Sequence, residues 1–185
     1  MKIVKSERRK TGEKNGDGTI WEMEFQYVQP SENPCVWLQW KQKDDRIISF
    51  FIYPGWYDIV CKTDNIADVR PTLEEFAEKF KAVPKPLIVS EIGAAAIQND
   101  HSGRRWSEEY QSRLLEEIVK GILEIDRYTR TALWLFCDAK TYIETEHYFG
   151  RPRGFNNKGM LNEYRIPKVS RGNINRLLKE RGFVK

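Results

Sequence analysis

Apolar positions along this chain follow three successive spacings, and each predicts a different element. Residues 1–19 carry no apolar period; they are polar and basic, with Gly12, Gly16 and Gly18, and read as a flexible, solvated terminus. Next, Trp21, Met23, Phe25 and Tyr27 alternate with Glu22, Glu24 and Gln26, the period of a strand with one buried face. Pro30 and Pro34 interrupt that pattern, and residues 35–40 read as a second short strand, so a hairpin is expected here. From residue 46 the pattern changes again. Residues 47–53 form a nearly continuous apolar run ended by Pro54 and Gly55, as in a strand buried on both faces. Thr72 and Glu75 match a capping box, with Leu73, Phe76 and Phe80 behind it at helical spacing. Residues 86–89 make a second buried strand, ending at Ser90 and Glu91. A long helix is predicted from about Ser107, with Tyr110, Leu114, Ile118, Ile122 and Ile125 on one face. Residues 131–136 read as a third buried strand. The last helix starts near Ser170, turns Ile174, Leu177 and Leu178 inward, and stops at Gly182.

From residue 46 the order is strand, helix, strand, helix, strand, loop, helix. Such alternation predicts an α/β fold with a parallel sheet and crossover helices. Three units of this kind fit either a small open sheet or part of an eight-fold barrel, and periodicity does not choose between them. Two segments are therefore expected, a basic segment with a hairpin over residues 1–45 and an α/β portion over residues 46–185.

Composition narrows the function classes. The 185 residues are 40% hydrophobic and 31% charged, ordinary values for a globular chain. Of the net charge of +4, much comes from Lys2, Lys5, Arg8, Arg9, Lys10 and Lys14. A basic arm of this kind can bind nucleic acid, but no nucleic-acid-binding motif accompanies it. Cys35, Cys61 and Cys137 stand far apart, which argues against a disulfide framework and a zinc site; three buried thiols in a reducing compartment are expected. The opening MKIVKSERRK has no apolar core, so no signal peptide is expected, and no run reaches the length of a membrane span. The expected location is cytoplasmic, with no membrane partner.

Candidate chemistry collects where parallel strands end, the edge at which such sheets place their sites. The first strand ends in Tyr53, Pro54, Gly55, Trp56 and Tyr57, the second in Ser90, Glu91, Ile92 and Gly93, the third in Phe136, Cys137 and Asp138. A carboxylate among aromatic rings suits sugar chemistry, because a pyranose stacks its apolar face on a ring while the carboxylate meets an oxocarbenium-like transition state.

These motifs resemble those of family 2 glycoside hydrolases. Pro-Leu-Ile-Val-Ser-Glu-Ile-Gly at residues 86–93 is similar to the seventh barrel strand, where a Glu followed one residue later by Gly carries the nucleophile. Ile-Tyr-Pro-Gly-Trp-Tyr at 52–57 resembles the sixth-strand motif, Trp-Ser-Glu-Glu-Tyr-Gln at 106–111 the opening of the seventh helix, and Trp-Leu-Phe-Cys-Asp at 134–138 the eighth strand. Order and spacing agree over roughly residues 46–180. Asn156 and Lys158 fit the Asn-x-Lys with which β-glucuronidases of the family hold the sugar carboxylate. The resemblance implies the last three strand–helix units of a (β/α)8 TIM barrel and retaining hydrolysis of β-glycosides, β-glucuronides first and β-galactosides second. It implies Glu91 as nucleophile, Tyr53 and Tyr57 orienting it and the sugar, Trp134 stacking, and Asn156 with Lys158 on the uronate. No cofactor or metal is implied.

Three departures qualify the expectation. The acid/base carboxylate of the family follows an Asn on a strand that has no counterpart here. Asn162 and Glu163 form an Asn-Glu pair, but after the eighth strand, and Glu144 and Glu146 match no acid. Phe51 stands where the family has Asn. His101, in a polar loop, and His147 offer little for a histidine-based triad. Three strands of eight also leave open edges, which the amino-terminal hairpin, self-association or a complementary barrel fragment would cover. The rivals are a catalytically inactive remnant that binds sugar or such a fragment, and a small basic protein on nucleic acid.

Overall fold

The computed structural model describes the backbone of residues 3–10, 21–28 and 37–42, and backbone with side chains for residues 48–56, 65–141 and 151–184. The chain divides into two compact units, Met1–Ile92 with Gly121–Ala132, and Gly93–Lys120 with Leu133–Lys185.

The first unit is built on a six-stranded sheet in sequence order, β1 (Ile3–Lys10), β2 (Trp21–Val28), β3 (Trp37–Gln42), β4 (Ile48–Phe51), β5 (Leu87–Ile92) and β6 (Tyr128–Leu133). The expected hairpin is present, with Trp21 opposite Gln42 and Gln26 opposite Trp37 in antiparallel pairing. Of the flexible terminus expected over residues 1–19, residues 3–10 are instead a strand, since β1 pairs antiparallel with β2 from Ile3 to Lys10; residues 11–19 lie outside the described residues. Ladder formation uses backbone N–H and C=O groups, so a polar segment without period can still complete a strand edge. β3 pairs antiparallel with β4, Gln39 opposite Phe50, so the amino-terminal strands occupy that edge of β4. β4 and β5 are parallel, as strand–helix–strand order requires.

Between them lies α1 (Val69–Lys79). It starts earlier than the capping box implies. A 3₁₀ turn at Ile66–Asp68 leads in, with the Asn65 side chain accepting from the Ala67 N–H at 3.1 Å. Thr72 is already helical, and its hydroxyl donates to the Asp68 carbonyl at 2.7 Å. Pro71 is tolerated because the first turn needs no N–H from it. Phe50 is the centre of packing here; it is buried and stacks on Phe76, ring centroids 4.8 Å apart, with Phe80 at 6.0 Å. Val69, Leu73, Leu87, Val89 and Ile92 complete this core. Arg127 holds the connection from α1 to β5 by donating to the carbonyls of Phe80, Val83 and Lys85.

Two strands are less buried than their apolar runs predict. In β4 only Phe50 is fully buried. β6 begins at Tyr128, three residues before the expected start, and Thr129, Arg130 and Ala132 are exposed. It is last in the strand order, so among the described residues one of its edges has no neighbour. Trp134 and Phe136, just past its end, are 41% and 63% exposed.

The second unit contains most of α2 (Glu108–Glu124), the short antiparallel pair β7 (Ala139–Lys140) with β8 (Phe155–Asn156), and α3 (Val169–Glu180). The Ser107 hydroxyl caps α2 by accepting from the Tyr110 N–H at 3.1 Å. Tyr110, Leu114, Ile118 and Ile122 are buried as their spacing predicts. α3 buries Ile174 and Leu177 and ends at Gly182 with φ of 75°. The Gly182 N–H bonds the Lys179 carbonyl and the Phe183 N–H bonds the Leu178 carbonyl, a Schellman stop. Cys137 is a free thiol and half-buried rather than buried, since it follows exposed Phe136 beyond the sheet; Cys35 and Cys61 lie outside the described residues. No helix of the described residues is long and apolar enough to cross a membrane.

Candidate functional site

In the first unit, parallel pairing brings the ends of β4 and β5 together. The register shifts between Phe50, opposite Val89, and Phe51, opposite Glu91, so Ser90 is passed over. Its hydroxyl donates to the Phe50 carbonyl at 3.0 Å, and the Ile52 N–H donates to the Glu91 carbonyl at 3.1 Å. This offset sets Glu91 beside the turn that follows β4. Pro54 and Gly55, the latter with φ of 73°, are the middle residues of that turn, closed by the Trp56 N–H on the Tyr53 carbonyl at 3.2 Å. Proline then glycine with positive φ is the chemistry of a type II turn. Tyr53 thereby lies next to Glu91, and its hydroxyl donates to Glu91 Oε1. Phe51 supplies no polar contact; its ring meets that of Tyr53 edge-on at 6.3 Å. Trp56, the last residue of the turn, is buried. Tyr57 lies outside the described residues.

In the second unit, the glycine of the Glu-x-Gly motif has a steric reason. A Cβ on Gly93 would lie 2.1 Å from the Trp134 carbonyl oxygen. The backbone after β5 can approach residue 134 only without a side chain. The Trp134 indole itself is partly open to solvent.

Asn156 and Lys158 sit on and just after β8. Both are buried, Lys158 to 1% exposure, and the Lys158 N–H donates to Asn156 Oδ1 at 3.3 Å. Between them, Asn157 folds the loop on itself: its amide nitrogen reaches the carbonyls of Pro152 and Phe155 at 3.2 and 2.9 Å, and Arg153 reaches its oxygen at 3.3 Å. Gly159 is also obligatory, because a Cβ would meet the Asp138 nitrogen and the Leu161 oxygen at 2.3 Å each.

Asp138 is buried and paired with Lys168 at 2.8 Å, both side chains fully enclosed. Burial pushes the Asp138 carboxyl up and the Lys168 ammonium down, and their contact offsets part of each. The Asn162-Glu163 pair is a turn. Asn162 Oδ1 accepts from the Tyr164 and Ile166 N–H groups at 2.9 Å each. Glu163 is held below the usual carboxylate range by its own backbone N–H and by Arg153 at 2.8 Å, the opposite of what a proton donor needs. His101 is exposed, with Nδ1 2.7 Å from Glu109. Glu144, Glu146 and His147 lie outside the described residues.

No family model matches the chain. Mouse β-glucuronidase is 32% identical over 124 residues, which is 64% of this chain and 18% of that protein. The crystal structure of a GH2 β-galacturonidase from Eisenbergiella tayi bound to galacturonate is 31% identical, with a TM-score of 0.63 over 73% of this chain and 24% of that one. Most of this chain is a β-glucuronidase-like region of glycoside hydrolase family 2. An uncultured Clostridium sp. β-glucuronidase adds a TM-score of 0.64 at 29% identity, over 74% of this chain and 23% of its own. The β-glucuronidase-like region thus spans less than a quarter of each relative's length.

Several polar residues that tie this β-glucuronidase-like region together were given no role by the sequence, although Glu108 and Gln111 stand in the motif at 106–111. Glu108 is buried and accepts from the Asn99 and Val169 N–H groups at 2.7 Å each, the latter at the start of α3. Gln111 is buried and donates to the carbonyls of Ala94 and Gly159 at 2.8 and 3.0 Å, while Ser170 donates to its oxygen. Lys168 is the third. A cation at the start of a helix opposes the macrodipole, and that misfit was the available signal.

Proposed function

We propose that residues 46–185 are the last three strand–helix units of a (β/α)8 barrel whose family reaction is retaining hydrolysis of terminal β-glycosides, most specifically β-glucuronides. The alternation β4–α1, β5–α2, β6–α3 and the parallel β4–β5 pair support the partial barrel. Residues 1–45 are then an addition that extends the sheet beyond β4.

Glu91 is the proposed nucleophile, and the observation that carries the reading is the Tyr53 hydroxyl on its Oε1 at the end of two parallel strands. That bond orients the carboxylate through Oε1, and Oε2 is the oxygen proposed to attack the anomeric carbon. Attack breaks the glycosidic bond, the aglycone leaves, and a glycosyl ester forms on Glu91; water then attacks the anomeric carbon and frees the carboxylate with net retention. Tyr57 is assigned a neighbouring role by resemblance, and Trp134 a stacking face. Asn156 and Lys158 are assigned the uronate carboxylate, a charge that distinguishes uronides from neutral sugars. The names of the relatives, acting on glucuronides and galacturonides, favour a uronic acid over a galactoside.

Among the described residues no carboxylate is assigned the acid/base role, and the chain alone is therefore expected not to turn over unactivated substrates. No cofactor enters this chemistry. A cytoplasmic setting goes with it, supported by widely spaced cysteines. Among the described residues, the edge of β6 without a neighbour and the exposed rings of Trp134 and Phe136 favour self-association or a complementary barrel fragment as partner.

The test uses a 2,4-dinitrophenyl β-glucuronide, whose leaving group needs no proton. The folded chain should release about one equivalent in a burst and then slow. Glu91→Gln should abolish the burst. An undiminished burst in that variant sinks the assignment of Glu91.

A further inference from the structure

Lys168 and Asp138 are enclosed charges where neither local structure nor packing asks for charge. Lys168 stands at the start of α3, the positive end of the helix, and its side chain has no exposed surface. Enclosing an ammonium and a carboxylate is costly, and apolar residues of similar size often serve stability as well. What the pair touches gives the reason for it. The Lys168 ammonium has three donors and three acceptors: Asp138 Oδ1 at 2.8 Å, the Ala96 carbonyl at 2.7 Å and the Asn157 carbonyl at 3.1 Å. Asp138 Oδ1 also accepts from the Gly159 N–H at 2.9 Å. The pair therefore holds the carbonyl one residue before Lys158 and the amide one residue after it.

We propose that the Asp138–Lys168 ion pair is a positioning device that clamps the backbone on both sides of Lys158 and so sets the preference for a carboxylate-bearing sugar over its neutral counterpart. This rests on the uronate reading of Asn156 and Lys158. A long, flexible side chain selects for charge only when its backbone is fixed, because a misplaced ammonium is easily satisfied by water. The surroundings agree. Gly159 tolerates no Cβ, Gln111 holds its carbonyl, and Asn157 ties the loop to residues 152–155. All of these contacts fix backbone, and Lys158 is the cation that they carry.

The test compares the full chain with the double variant Asp138→Asn, Lys168→Met. Both charges are removed together, so no lone enclosed charge remains to unfold the protein. Asparagine keeps an acceptor for Gly159, whereas methionine gives up the bonds to Ala96 and Asn157. Affinities for methyl β-D-glucuronide and methyl β-D-glucoside are measured by NMR titration. The unmodified chain should prefer the glucuronide by about tenfold or more, the scale of one hydrogen bond to a charged group. The double variant should lose most of that preference with little change toward the glucoside. A preference kept intact in the folded variant overturns the proposal. If the unmodified chain shows no preference, the uronate reading itself fails and takes the proposal with it. Amide exchange reads the clamp without ligand: exchange at Lys158 and Gly159 should accelerate about tenfold or more in the variant, and unchanged protection overturns the clamp.

Discussion

Gly93, against the Trp134 carbonyl, and Tyr53, on Glu91, show how single residues decide local geometry. The Cβ of an alanine at 93 would overlap backbone rather than a yielding side chain, so Gly93→Ala should destabilise the chain by about 1–3 kcal/mol, read from the urea midpoint. Tyr53→Phe removes only the hydroxyl that donates to Glu91, and should cost about 0.5–1.5 kcal/mol in the same assay. His101 tests the electrostatics. Its hydrogen bond to Glu109 raises its pKa above the ordinary 6.5. The pair's contribution is therefore full below the unfolded value and lost as pH rises through the folded one. An NMR titration of the ring should have its midpoint above 6.5, and Glu109→Gln should bring it back down. The meeting of Tyr53 with Glu91 was legible in the sequence, because both end apolar runs in consecutive strand–helix units and parallel strands align such ends. The Asp138–Lys168 pair was not. Its partners are 30 residues apart, and its other acceptors are backbone carbonyls, which every residue has.

At the level of elements, the apolar period located α2 and α3 within a residue or two, because each buries one face and carries its own cap. Leu114 and Ile118 are fully enclosed on α2, and either change to Ala should cost about 2–5 kcal/mol by calorimetry or urea. The start of α1 was misread because the capping-box pattern at Thr72 and Glu75 also occurs inside a helix, and nothing in it reports the 3₁₀ turn upstream. β1 was missed for a different reason: its strand state comes from pairing with β2, and a polar sequence carries no mark of that. Glu108 joins elements end to end, accepting from a loop N–H and from the first N–H of α3. Glu108→Gln keeps one acceptor and should weaken the protection of Val169 in hydrogen exchange more than that of mid-helix amides.

For the chain as a whole, enclosed residues in each unit, Phe50 in the first and Leu114 and Ile118 in the second, contrast with a set of large apolar side chains left open. Trp134, Phe136, Tyr164, Ile166 and Phe183 are each at least 41% exposed. Exposed apolar surface of this kind favours association, and a sedimentation coefficient that rises with concentration would reveal it. The central claim concerns Glu91, and mass spectrometry after treatment with 2-deoxy-2-fluoro-β-D-glucuronyl fluoride tests it most directly. Fluoride leaves without a proton donor, so labelling needs no acid/base group, and the 2-fluoro group slows release of the ester. The account predicts one glucuronyl adduct per chain, on the peptide that contains Glu91 and absent from Glu91→Gln. A folded chain that takes up no label, or takes it up on another residue, would contradict it.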